Sequence, residues 1–191
     1  EKNILKNFPL ATILRPSVVY SVDDNFTTSF MNLLDKLPFF PLYYSGKTKF
    51  TPIHCSDLTD TIYHIISRDI NSKIIECVGP EVITFKKILE KLLKLINKRR
   101  LLVPFPFLLA KISAKFFQFL PNPPLTEDQL RLLKYDNIVS GKYKTNSDIG
   151  VPSKRIFDKE KKKYCYMWRE GGQFSTEKYI SNKDLEKNNN N

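Results

Sequence analysis

Over its first 96 residues the chain alternates short apolar runs with amphipathic stripes, the pattern of strands followed by helices. Ala11 to Leu14 is a partly β-branched apolar run that predicts a buried strand, which Pro16 ends because proline lacks an N–H. Lys73 to Val78 predicts a second strand, closed by a Gly-Pro turn. Apolar positions at helical spacing follow each strand: Phe26, Phe30, Leu33, Leu34 and Leu37, then Phe85, Ile88, Leu89, Leu92, Leu93 and Ile96. This alternation favours an α/β layer.

Glycine is too scarce and too scattered to build a phosphate-binding loop. The 191 residues contain six glycines, at Gly46, Gly79, Gly141, Gly150, Gly171 and Gly172. Their spacing matches neither a P-loop nor the glycine fingerprint of a dinucleotide-binding fold. The sequence therefore excludes a complete nucleotide-binding motif within this stretch.

The positive charge is concentrated in the second half of the chain. Residues 97–191 hold 19 basic and 10 acidic side chains, a net charge of +9 out of +11 for the whole sequence. Lysines outnumber arginines 24 to 7, whereas nucleic-acid sites favour the bidentate guanidinium of arginine. We therefore expect no nucleic-acid partner and favour an anionic membrane or an acidic protein surface.

The cysteines indicate a reducing compartment. Cys55, Cys77 and Cys165 are odd in number, widely spaced and not clustered with histidine, so neither a disulfide framework nor a metal site is predicted. The longest apolar run, Leu101 to Ala110, is broken by two prolines and is too short to cross a bilayer. We expect a cytoplasmic protein, peripheral at the inner face of a membrane.

The pattern changes after residue 96. Residues 97–150 predict a helical, basic, apolar-faced subdomain, in which Thr126 to Gln129 has the form of a capping box. Residues 151–177 predict a C-terminal extension that holds a charge run from Lys159 to Lys163. Residues 178–191 predict a disordered, asparagine-rich tail.

Few side chains suggest chemistry by themselves. His54 stands just before a predicted helix, where a structural role is the commoner one, and Ser56 or Asp57 is expected to cap that helix. No Ser/His/Asp set and no carboxylate pair is indicated. We therefore assign no catalytic residue.

Three segments in order resemble the landmarks of the extended short-chain dehydrogenases/reductases. The first is a strand exit, Ile13-Leu14-Arg15-Pro16-Ser17-Val18-Val19-Tyr20. The second is the strand, turn and helix of Phe50-Thr51-Pro52-Ile53-His54-Cys55-Ser56-Asp57-Leu58. The third is the segment Glu76-Cys77-Val78-Gly79-Pro80-Glu81-Val82-Ile83-Thr84-Phe85, a link into a helix. The resemblance implies an α/β, Rossmann-like fold, of which residues 1–96 supply the C-terminal strands and helices and later residues the substrate-side subdomain.

A second, more specific resemblance is to one atypical branch of the extended short-chain dehydrogenases/reductases. Residues 99–106, 120–133 and 136–140, and Gly171 to Phe174, resemble the bacterial relatives of an NADPH-binding accessory subunit of respiratory complex I. This resemblance implies NADP or NAD as the cofactor and complex I subunits as partners. It also implies that Pro16, Ser17 and Val18 contact the nicotinamide end, while Arg15 meets a phosphate or an acidic group or forms a strand-end salt bridge.

Two features of the superfamily are missing from this stretch, namely the glycine fingerprint and the Tyr-x-x-x-Lys pair. We therefore expect the chain to be the C-terminal part of a larger protein and to have no enzymatic activity alone. Two other interpretations stay open. One is an NAD(P)-dependent nucleotide-sugar epimerase, dehydratase or reductase, and the other is a membrane-surface or protein-interaction module without a cofactor.

Residues 98–120 have the features of a membrane-binding segment. A basic cluster leads into an aromatic, proline-broken run and an apolar helix whose Lys111 and Lys115 share one face. Cations above an apolar face are typical of an interfacial helix on anionic lipid. The alternative is a helix that packs on the core of its own subdomain.

Overall fold

The computed structural model describes residues 1–71, 73–104, 133–169 and 171–174. Its central sheet has three parallel strands in the order β1 (Ile13–Pro16), β6 (Ile74–Cys77) and β9 (Lys144–Thr145). Parallel strands need a crossover, and the chain between β1 and β6 supplies it with helices. Within the described residues β6 is paired on both sides, whereas β1 is paired only with β6.

Three two-stranded sheets accompany the central sheet. The strands β2 (Val19–Tyr20) and β5 (Ile53–His54) run parallel, and so do β3 (Phe39–Leu42) and β8 (Leu101–Pro104). The strands β4 (Lys49–Phe50) and β7 (Ile83–Thr84) run antiparallel. The strands β8 and, in the central sheet, β9 fall in the stretch for which the sequence predicts a helical subdomain.

Four α-helices lie in the first 96 residues. They are α1 (Lys2–Asn7), α2 (Asn25–Lys36), α3 (Cys55–Ser67) and α4 (Phe85–Leu95). Asp24 caps α2 by accepting a hydrogen bond from the Thr27 N–H at 2.6 Å, and Thr84 caps α4 by accepting one from the Lys87 N–H at 3.3 Å. These caps satisfy N–H groups that a helix start leaves without partners.

The core forms two clusters. The larger one joins one face of α2 and of α4 to β3 and the turn at Tyr43–Gly46, and edge-on aromatic pairs such as Phe30 with Phe85 hold it together. The smaller cluster lies between the central sheet and α3 and is built from Ile53, Ile65, Ile75 and Cys77. The apolar stripes predicted for α2 and α4 thus face the larger cluster.

The C-terminal extension contains a helix that the sequence patterns do not indicate. The helix α5 (Phe157–Lys162) coincides with most of the charge run, and Lys161 within it is fully buried. Its ammonium group pairs with the Asp24 carboxylate and donates to the Ser21 carbonyl oxygen at 2.9 Å. A buried lysine needs such partners, so α5 docks on the start of α2.

Several sequence expectations concern residues outside the described ranges. They are the apolar helix after Pro106, the capping box at Thr126 and the disordered tail at 178–191. The division into four stretches, at 1–96, 97–150, 151–177 and 178–191, stays a prediction.

Candidate functional site

The carboxyl ends of β1 and β6 lie side by side. Arg15 is in register with Glu76, and Pro16 is in register with Cys77. The pairing continues one residue past β1, where the Ser17 N–H donates to the Cys77 carbonyl oxygen at 3.0 Å. In open α/β sheets, ligands bind beyond the carboxyl ends of the strands. This edge is therefore the candidate site, and it holds all four residues that the sequence singles out.

Ser17 is buried and its hydroxyl group is engaged within the protein. The hydroxyl donates to the Asn137 carbonyl oxygen at 3.0 Å and accepts from the Thr51 N–H at 3.2 Å. The Asn137 N–H in turn donates to the Lys49 carbonyl oxygen at 2.8 Å. Ser17 therefore joins the strand exit to two other segments.

Arg15 forms the salt bridge that the sequence leaves open as one alternative. Its Nε donates to one oxygen of the Glu1 carboxylate at 2.9 Å, and a terminal nitrogen donates to the other. The guanidinium carbon lies 4.4 Å from the ring centroid of Tyr143. Hydrogen bonding between the two groups raises the pKa of Arg15 and lowers that of Glu1. Because this pair faces solvent, an anionic ligand can compete for the guanidinium group.

Pro16 and Val18 differ in exposure. Pro16 is exposed, whereas Val18 is half-buried and packs against the larger core cluster. The Val18 carbonyl oxygen accepts a hydrogen bond from the Ile53 N–H at 2.9 Å. The edge therefore presents an uncharged proline ring to solvent, with Arg15 on one side and the buried Ser17 on the other.

A carboxylate at the same edge belongs to the third landmark, but the sequence assigns it no role. Glu76 lies on β6 beside Arg15 and is 7% exposed, and its Oε2 accepts the Ser140 N–H at 2.9 Å. Its carbonyl oxygen accepts the Asn146 N–H at 3.1 Å. The signal that could have revealed it is one acid inside an otherwise apolar strand, since a buried carboxylate needs donors.

His54 caps α3, in place of the Ser56 or Asp57 that the sequence favours. Its Nδ1 accepts the Ser56 N–H at 3.2 Å, and its ring meets that of Tyr20 edge-on at 5.2 Å between centroids. Burial lowers its pKa. A neutral imidazole that accepts a backbone N–H has a structural role here.

Asp57 binds a distant arginine instead of capping the helix. It is 3% exposed, and its carboxylate accepts the Arg155 backbone N–H at 3.0 Å and the guanidinium group at 2.5 Å. The Tyr20 hydroxyl donates to the Arg155 carbonyl oxygen at 3.0 Å. The second landmark therefore fixes the segment that leads into α5.

Gly79 allows two turns to touch. A Cβ at this position would lie 1.7 Å from the Pro52 carbonyl oxygen, and the Gly79 N–H donates to the Thr51 carbonyl oxygen at 3.0 Å. Only glycine permits so close an approach. The third landmark is thereby held against the second, beside the strand exit.

The chemistry available at this edge is binding and positioning. Its polar groups, the Ser17 hydroxyl, the Thr51 N–H and the Glu76 carboxylate, are hydrogen-bonded to residues 137–140. Over the described ranges no three His, Cys, Asp or Glu side chains group as a metal site. In the same part of the chain no helix is long and apolar enough to cross a bilayer.

Two proteins with sequence similarity to this chain share one name. The chain is 30% identical over 151 residues to the mitochondrial NADH dehydrogenase [ubiquinone] 1 alpha subcomplex subunit 9 of Arabidopsis thaliana, covering 73% of this chain and 38% of that protein. It is 26% identical over 163 residues to the subunit of the same name in Dictyostelium discoideum, covering 83% and 46%. The chain thus spans less than half the length of these relatives. No family model matches it.

Solved structures agree on the fold. The UDP-glucose 4-epimerase of Thermus thermophilus, in complex with NAD, superposes with a TM-score of 0.55 over 87% of this chain and 49% of that one. The identity is 15%, so this likeness concerns the fold alone. It confirms the Rossmann-like α/β fold expected from the sequence.

Proposed function

We propose that this chain is the substrate-side part of an accessory subunit that holds NAD(P) without turning it over. The chain is a homologue of the alpha subcomplex subunit 9 proteins of respiratory complex I, and it has the fold of the extended short-chain dehydrogenases/reductases. The observation that carries the proposal is the hydrogen-bonded edge at Ser17. Its hydroxyl is engaged on both sides by protein groups. A rigid edge of this kind suits a bound ring better than proton transfer.

The cofactor would lie across the carboxyl ends of β1 and β6. Pro16 offers an exposed, uncharged ring on which a nicotinamide can pack, and the half-buried Val18 follows two residues later. Arg15 can exchange its exposed partner Glu1 for a phosphate oxygen. These residues fit a dinucleotide, and when bound that group would supply the capacity for hydride transfer. These residues do not distinguish NADP from NAD.

The phosphate-binding part of such a protein would pack beside β1. Within the described residues the outer edge of β1 has no strand partner, and α1 has no buried residue. A free edge and a helix without a packed face are unfavourable in water. We propose that the nucleotide-binding half covers both, so that this chain alone binds NAD(P)H negligibly.

The test of cofactor binding is a fluorescence titration of the intact protein with NADPH and with NADH. Because Ser17 is buried, the discriminating variant is Pro16→Glu, which sets a carboxylate at the exposed ring position and should weaken binding about tenfold or more. Pro152→Glu, at another exposed proline, is the control. Equal affinity for wild type and Pro16→Glu would refute the assignment, and steady turnover of a nucleotide sugar would refute a non-catalytic role.

The same homology supports a proposal about partners and location. We propose association with complex I subunits and a peripheral position on the inner face of the membrane, with residues 98–120 toward an anionic surface. Affinity capture of the tagged intact protein, followed by mass spectrometry, should recover complex I subunits. Recovery of none of them from solubilised membranes would contradict this part of the proposal.

A further inference from the structure

The pair β3–β8 has one buried and one exposed face. Phe40 and Leu42 face the larger core cluster, and each is 2% exposed. On the opposite face Phe39 is 58%, Leu101 72% and Val103 43% exposed. Phe39 is in register with Leu101, and Pro41 is in register with Val103. Alternation along each strand therefore places these side chains together, and we call Phe39, Leu101 and Val103 the ribbon face.

Two exposed cations stand at one end of the ribbon face. Because the strands are parallel, both begin at the same end, where Lys36 precedes β3 and Arg99 precedes β8. Neither side chain forms an ion pair with a described residue. The two cations that flank Arg99 already have partners, since Lys98 pairs with Asp35 and Arg100 donates to the Leu34 and Asp35 carbonyl oxygens. The basic cluster thus divides into two residues that hold α2 and one that faces outward.

We infer that the ribbon face inserts into the headgroup region of an anionic bilayer, with Lys36 and Arg99 at the lipid phosphates. This inference rests on the peripheral location proposed above and names the residues that would make the contact. Apolar side chains beside cations that have no ion-pair partner in the described part of the chain, in a sequence with a net charge of +11, complement such a surface in both polarity and charge. An acidic carboxylate on this face would oppose binding, and each exposed member of the ribbon face is apolar.

The experiment is co-sedimentation of the intact protein with vesicles of phosphatidylglycerol and phosphatidylcholine, and with phosphatidylcholine alone, at low and high salt. Wild type should bind the anionic vesicles and be released by salt. Arg99→Glu should weaken binding about tenfold or more, and Leu101→Ser should weaken it at both salt concentrations. The matched controls are Lys159→Glu, on the exposed side of α5, and Val82→Ser, at a 63% exposed position.

Every outcome decides the inference. Vesicle binding that Arg99→Glu and Leu101→Ser leave unchanged would overturn it, and so would a wild type that stays in the supernatant. Capture of complex I subunits that is lost in Leu101→Ser, without vesicle binding, would instead make the ribbon face a protein interface. All variants are checked for native circular dichroism, and Lys36→Glu provides a second charge reversal. NADPH titration of the same variants reports separately on the proposed cofactor role.

Discussion

Asp57 contributes stability by joining α3 to a segment about a hundred residues later. Its buried carboxylate accepts both the backbone and the side chain of Arg155, and Asp60 shares the same guanidinium group while being 60% exposed. We expect Asp57→Asn to lower the free energy of unfolding by about 1–3 kcal/mol, because a charged hydrogen-bond acceptor is lost in a buried place. Asp60→Asn should cost less than about 1 kcal/mol. Urea unfolding measures both, and equal losses would contradict the assigned roles.

His54 makes stability depend on pH. Burial lowers its pKa below the ordinary value of 6.5, so the unfolded chain takes up a proton more readily than the folded protein does. This contribution is fully present above pH 6.5 and is lost as the pH falls from there toward the lowered pKa. His54→Asn keeps an acceptor for the Ser56 N–H but cannot titrate, so it should flatten the profile. Urea unfolding at a series of pH values measures the profile, and an unchanged slope in His54→Asn would contradict the assignment.

At the scale of elements, contact between two turns holds the landmarks together. Alanine at Gly79 would press its Cβ into the Pro52 carbonyl group, so the backbone must move. We expect Gly79→Ala to lower the free energy of unfolding by about 3 kcal/mol or more. Gly141→Ala, at a φ of +73° with nothing within 4 Å, should cost about 1–2 kcal/mol of backbone strain only. Thermal unfolding compares the two, and a smaller loss at Gly79 would contradict the close approach.

The sequence predicts elements well where the determining chemistry is local. Asp24 and Thr84 are residues of types that commonly cap helices, and they cap α2 and α4 because their partners lie three residues away. The same reasoning fails where the partner is remote. Lys161 looks like part of a solvated charge run, yet it is buried against Asp24, 137 residues away. Asp57 looks like a cap, yet its partner is Arg155. Local patterns carry no information about such contacts.

At the scale of the whole molecule, the candidate site also combines features that the local sequence predicts with contacts that it does not predict. The position of Arg15, Pro16, Ser17 and Val18 at a strand exit could be predicted, since a run ended by proline marks it. The engagement of Ser17 could not, because Asn137 reaches it across 120 residues. Glu76 was missed because its role depends on Ser140, which the fold brings to it. Pairings between distant segments therefore decide what the edge can do.

The two core clusters differ in size, and we expect them to differ in local stability. Among the described residues the larger one contains 18 buried members, whereas the smaller one contains four and lies beside β1. Fewer buried contacts lower the free energy of local opening. In hydrogen exchange on this chain, the amide of Ile96, bonded to the Leu92 carbonyl oxygen at 2.9 Å, should exchange at least about tenfold more slowly than that of Ile13, bonded to the Lys73 carbonyl oxygen at 2.8 Å. The two hydrogen bonds are equally short, so a difference would reflect the surrounding cluster. Equal protection of both amides would show that the chain opens as one unit and would contradict the prediction.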